Sequence, residues 1–185
     1  MTTTMMNKNV CIHTFQCFTH EQVKGINKKI KENILKEQNS SDAASNVSKI
    51  GKFFNVRCLP LLEELHPFLY NCQLVNMNHF GYDAYWNFHL DILNYNVYGM
   101  GGEYGWHMDA NSENTLNDTK LTCLLNLSEK PYEGGEFYMI NSNEKIEFTS
   151  GMGVVLNSLI AHKVTPVTKG ERITMTYFAI GPLLR

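Results

Sequence analysis

Residues 153–180 read GVVLNSLIAHKVTPVTKGERITMTYFAI. Short runs rich in β-branched and aromatic residues alternate there with Asn-Ser and Lys-Gly turn signals, which predicts strands over 153–156, 163–167 and 172–180. Upstream, 88–98, 121–127, 136–140 and 145–149 have the same character and are again parted by Gly, Pro, Asn and Ser. Seven or so short strands in succession suggest an antiparallel sandwich or barrel.

The N-terminal part reads differently. Thr19 and Gln22 form a capping-box pair, Phe18 can staple onto Val23, and Val23, Ile26, Ile30 and Ile34 recur at helical spacing. A second helix is expected over about 60–70, with Pro60 in its first turn and Pro67 kinking or dividing it. The Ser/Asn-rich stretch 38–48 reads as a mobile loop. These features predict an α+β chain in which helices over about 1–75 buttress a β core over about 76–185. At 185 residues it is read as one domain.

Composition narrows the function. The chain is 43% apolar and 18% charged with a formal charge of -2, which offers no pull toward nucleic acid or an anionic membrane. Cys11, Cys17, Cys58, Cys72 and Cys123 contain no CxxC pair, and the first residues contain no apolar targeting segment. They are expected to be reduced thiols of a cytoplasmic protein.

His107 and Asp109 stand two residues apart, and in extended chain positions i and i+2 share a face. Alone, His-x-Asp is a weak signal. His162, at the join of two predicted strands, completes two imidazoles and one carboxylate, the facial triad of non-haem Fe(II) oxygenases. Arg172 opens the last strand, where a guanidinium facing a barrel interior demands an anion. Thr174, at i+2, shares that face and can add a hydroxyl.

Three stretches match a known pattern: Tyr98-x-x-Gly101-x-x-Tyr104-x-x-His107-x-Asp109, then Leu127-Ser128-x-x-Pro131-Tyr132-x-Gly134-Gly135-Glu136, then His162-x-Val164-x-Pro166-Val167-Thr168-x-Gly170-x-Arg172. In this order and spacing the chain resembles the prolyl 4-hydroxylase superfamily of 2-oxoglutarate/Fe(II) dioxygenases, most of all the PKHD-type hydroxylases. The resemblance implies a double-stranded β-helix (jelly-roll, cupin-like) core. It further implies Fe(II) on His107, Asp109 and His162, with 2-oxoglutarate gripped by Arg172 and lined by Tyr98. Ascorbate is the expected accessory reductant. O2 and a small-molecule or peptidyl substrate, such as a prolyl residue or proline-like ring flanked by Tyr98, Tyr104 and Trp106, are the expected partners. Hydroxylation with release of succinate and CO2 is the implied reaction. Where many relatives place a carboxylate-holding Tyr, this chain has Asn126, whose amide can donate the same bond or face elsewhere. Gly134 and Gly135 read as a tight strand connection.

Two other readings compete. A cupin-like metal-dependent hydrolase or isomerase can use the same three ligands, and a non-catalytic β-helix binding module can keep the fold alone. Arg172 separates them from the oxygenase, because neither needs a buried guanidinium beside the metal.

Overall fold

The computed structural model describes residues 11–38, 47–87, 91–110, 117–140 and 144–183. In chain order they form β1 (Ile12–Gln16), α1 (His20–Glu32), β2 (Ile34–Gln38), β3 (Lys49–Ile50), β4 (Lys52–Arg57), α2 (Leu62–Val75), β5 (Ile92–Tyr98) and β6 (Glu103–His107). There follow β7 (Asn117–Asn126), β8 (Glu133–Gly134), β9 (Phe137–Met139), β10 (Met152–Asn157), β11 (His162–Val164), β12 (Val167–Lys169) and β13 (Arg172–Pro182). Seven strands make one sheet in the order β1-β10-β7-β13-β5-β4-β2. Four make a second, β3-β6-β11-β9, and β12 pairs with β8. All of these pairings are antiparallel.

Strand alternation decides what each face of the seven-stranded sheet carries. Leu121, Cys123 and Leu125 of β7 and Ile173, Met175, Tyr177 and Ala179 of β13 meet Val23, Ile26 and Ile30 of α1 and Leu65, Phe68 and Leu69 of α2. Each such fully buried aliphatic side chain contributes about 1.5–3 kcal/mol, so packing rather than propensity holds these short helices in place. The intervening positions face the four-stranded sheet, where Leu124, Val154 and Leu156 pack on Phe137, Met139 and Val164. Helices, large sheet and small sheet are therefore three successive layers.

The capping box forms as read, with Thr19 and Gln22 exchanging bonds. Asn33 then ends α1, and Ile34 begins β2 instead of extending the helical stripe. Pro67 neither divides nor ends α2, which runs on to Val75 and passes into a π turn over Asn76–Phe80. Burial of Leu65, Phe68, Leu69 and Cys72 along one side outweighs the hydrogen bond that proline cannot donate. The segment 145–149 is not a strand; Ile146 makes a single bridge to Phe137. The N-terminal part contributes β1, β2, β3 and β4 as well as its helices, and residues 39–46 of the expected loop lie outside the described residues.

Candidate active site

β6 and β11 pair with His107 directly opposite His162, which sets the two rings side by side with centroids 4.2 Å apart. Asp109 follows two residues after the end of β6. Its backbone N–H and that of Ala110 both donate to the Ser158 carbonyl, at 3.1 Å each. The potential ligand atoms of His107, Asp109 and His162 all lie within 4.8 Å of one another.

Both histidines are oriented from behind. His107 Nδ1 lies 2.8 Å from the Gly105 carbonyl and His162 Nδ1 lies 2.9 Å from the Ile160 carbonyl. A carbonyl only accepts, so each Nδ1 carries the hydrogen and each Nε2 faces inward. The Nε2 atoms lie 3.5 Å and 3.3 Å from the Asp109 carboxylate oxygens for His107 and His162 respectively. The Thr122 hydroxyl donates to Asp109 Oδ2 at 2.7 Å and lies 3.2 Å from the Ser158 hydroxyl. Tyr104 stacks on His107, centroids 3.4 Å apart and planes 10° from parallel.

These contacts split the two histidines. Burial, reinforced by the nearby His162, pushes His107 down to about 4 against the pull of Asp109. Burial also works to lower His162, but its hydrogen bond to Asp109 and the carboxylate charge prevail and raise it. Asp109 is opposed by its own desolvation, yet its contacts with His162, His107 and Thr122 keep it below the usual carboxylate value. Two imidazoles and one carboxylate converging with inward lone pairs fit a divalent iron.

One cavity joins this triad to Tyr98, Thr174 and Arg172. Arg172 is 2% exposed, no carboxylate pairs with it among the described residues, and its Nε is buried without a hydrogen-bond partner. Register explains the grouping: Arg172 opposes Tyr98, Thr174 opposes Asn96 and Thr176 opposes Asn94 across β13 and β5. Asn94, Asn96 and Thr176 thus line the cavity as well. The alternation that places Arg172 and Thr174 inward already implies Thr176, and only its ordinary composition hid it.

Asn126 is not brought to the cavity lining. Its Nδ2 donates to the Phe148 carbonyl at 2.6 Å and the Tyr132 hydroxyl at 3.2 Å, while its Oδ1 accepts from the Ser128 N–H at 2.9 Å. The amide is committed to holding its own neighbours. Trp106 points outward, 44% exposed, with the Lys163 ammonium 4.9 Å from its ring centroid. Thr122 and Ser158 carry no signal in the sequence, because only the fold brings β7 and the turn after β10 against Asp109, where hydrogen bonds join them.

Residues 93–180 match the family model of the 2OG-Fe(II) oxygenase superfamily. This segment belongs to that superfamily. Among curated relatives of the oxygenase segment, a PKHD-type hydroxylase of Alteromonas mediterranea is 39% identical over 79 residues, which is 38% of this chain and 34% of the relative. A PKHD-type hydroxylase of Stutzerimonas stutzeri is 32% identical over 99 residues, 49% of this chain and 43% of the relative. The match therefore spans less than half the length of each. Among solved structures, the viral collagen prolyl hydroxylase of Paramecium bursaria Chlorella virus-1 superposes with a TM-score of 0.68 at 16% identity, covering 94% of this chain and 99% of that one. A prolyl-4-hydroxylase of Pseudomonas putida gives 0.62 at 16% identity, with 94% of each chain covered. The oxygenase fold is thus the double-stranded β-helix, and the three-layer architecture described above is its form here.

Proposed function

We propose that this protein is an Fe(II)- and 2-oxoglutarate-dependent dioxygenase that hydroxylates a C–H bond of a small-molecule or peptidyl substrate, with release of succinate and CO2. Residues 1–185 act as one domain in this reading. The observation that carries it is a buried guanidinium, Arg172, without a carboxylate partner among the described residues, lining the same cavity as two histidines and an aspartate. A cupin-like hydrolase or a binding module has no use for that cation.

His107, Asp109 and His162 are the residues that hold the iron, through both Nε2 atoms and the carboxylate. When bound, Fe(II) supplies the O2 chemistry that couples oxidative decarboxylation of 2-oxoglutarate to hydroxylation. The chain's own residues bind and orient. Arg172 pairs with the distal carboxylate of 2-oxoglutarate, Thr174 adds a hydroxyl beside it, and Tyr98, 3% exposed, closes the wall. Leu124, Phe137 and Val164 add apolar wall to the same cavity.

The solved structures of like fold that are named as prolyl hydroxylases favour a prolyl residue or compact proline-like ring as substrate, and the Tyr98 and Tyr104 rings in the cavity suit one. Five cysteines with no disulfide among them fit a cytoplasmic setting, and no described helix is long and apolar enough to cross a membrane. Assays with Fe(II), 2-oxoglutarate and ascorbate should show succinate release stimulated by proline-containing peptides or free proline. Arg172→Ala should raise the KM for 2-oxoglutarate by about a hundredfold or more, leaving that for the primary substrate far less affected. An unchanged dependence on 2-oxoglutarate would remove Arg172 from the reading.

A further inference from the structure

A cation buried without a counter-ion must be stabilised by something, and Arg172 has two aromatic rings. Its guanidinium carbon lies 5.4 Å from the Tyr98 ring centroid and 5.6 Å from that of Phe148. Tyr98 lines the triad cavity, whereas Phe148 lines a separate groove together with Tyr132 and Gly135. Neither ring accepts a conventional hydrogen bond from the guanidinium. Their π faces attract the charge without taking up its N–H donors, and the Nε is buried with no hydrogen-bond partner.

We infer that Phe148 is a positioning residue for Arg172, holding the guanidinium in the cavity without consuming the donors that a 2-oxoglutarate carboxylate needs. This rests on the oxygenase reading above. An internal carboxylate in the same place would stabilise the arginine equally well but would compete with the ligand; a ring does not compete. Phe148 is itself fixed. Its carbonyl accepts the Asn126 amide at 2.6 Å, its side chain is 7% exposed, and its ring packs on Phe137 with centroids 6.4 Å apart. The role of Asn126 follows, since it anchors the backbone that carries the ring.

Gly135 completes the seat. A Cβ added there would stand 2.9 Å from Arg172 Cδ, 3.0 Å from Val167 Cγ2 and 3.4 Å from Tyr132 Cε2. The arginine stem thus occupies the space that any other residue would fill. The second glycine of the pair does more than turn the chain.

The test is anaerobic calorimetric titration of the Fe(II)-loaded protein with 2-oxoglutarate, alongside Fe(II) affinity, for wild type, Phe148→Leu, Phe148→Tyr and Arg172→Ala. Phe148→Leu should weaken 2-oxoglutarate binding about tenfold, and Phe148→Tyr, which keeps the π face, should restore it to within about twofold. Fe(II) affinity should stay at the wild-type value in both. If Arg172→Ala weakens 2-oxoglutarate binding and Phe148→Leu does not, the positioning role is overturned while the oxygenase reading stands. If Phe148→Leu loses Fe(II) and 2-oxoglutarate affinity together and Tyr does not rescue it, Phe148 is a general packing residue and the inference fails. If wild type binds no 2-oxoglutarate, the oxygenase reading itself fails and takes the inference with it.

Discussion

The hydroxyl of Thr122 on β7 donates a 2.7 Å hydrogen bond to the carboxylate of Asp109. Thr122 is fully buried, and a carboxylate ligand whose second oxygen is held in this way is fixed before the metal arrives. Thr122→Val keeps the shape and deletes the bond. It should lower Fe(II) affinity by about 10- to 100-fold, read by competition against a chelator, with Thr122→Ser in between. Equal affinity in Thr122→Val would show that the bond orients nothing.

Loading the site with metal should release a proton. His162 is raised by Asp109 against its burial, so in the metal-free protein a proton persists between them at a pH where an ordinary histidine has lost it. His107, lowered to about 4 mainly by burial, is already neutral. Fe(II) affinity should therefore fall as pH drops through the raised His162 value, by about one decade per pH unit. Calorimetry of metal binding at pH 6.5 in buffers of different ionisation heat reads the released proton directly, and buffer-independent heats there would contradict the assignment.

The same shifts set the acid stability of the metal-free protein. The raised His162 contributes stability fully below the ordinary histidine value of 6.5, and this is lost as pH rises through its folded value. His107 acts in the opposite direction: stability falls as pH drops from 6.5 toward about 4, because the unfolded chain takes up the proton first. Urea titrations should show His107→Gln flattening the pH dependence between these two values. An unaltered slope would mean that His107 is not desolvated as described.

No disulfide joins any of the five cysteines. Burial pushes Cys17 up to about 11 and Cys58 up to about 12, and it raises Cys72 beside Cys123. Native protein at neutral pH should alkylate slowly at these positions, because the thiolate is the nucleophile. Mass spectrometry of unreduced, unfolded protein should find all five modified, and a Cys72–Cys123 bridge would be contrary evidence.

What was legible in the sequence is what local chemistry encodes. The Thr19 capping box, the alternation of β13 and the shared face of His107 and Asp109 each depend on residues within a few positions of one another. Composition misplaced the end of α2, because Leu65 to Cys72 continue a buried stripe past Pro67 that only tertiary packing rewards. Strand β6 bears His107, yet Gly105 and the glycines before it dilute its β signal in the sequence. Thr122, Ser158, Phe148 and Gly135 reach the site through register with distant strands and loops, which one chain read linearly does not reveal. The direction of the Asn126 amide is of the same kind, fixed by its bond to the Phe148 carbonyl in the fold.

The proposed function requires that His107, Asp109 and His162 hold an Fe(II) that shares its cavity with 2-oxoglutarate. Anaerobic addition of 2-oxoglutarate to the Fe(II)-loaded protein, followed by the visible charge-transfer absorption of the chelate, tests it without knowledge of the primary substrate. Wild type should give a saturable band, His162→Ala none, and Arg172→Ala a band that needs much higher 2-oxoglutarate. No band in the wild type, or an undiminished one in His162→Ala, would contradict it.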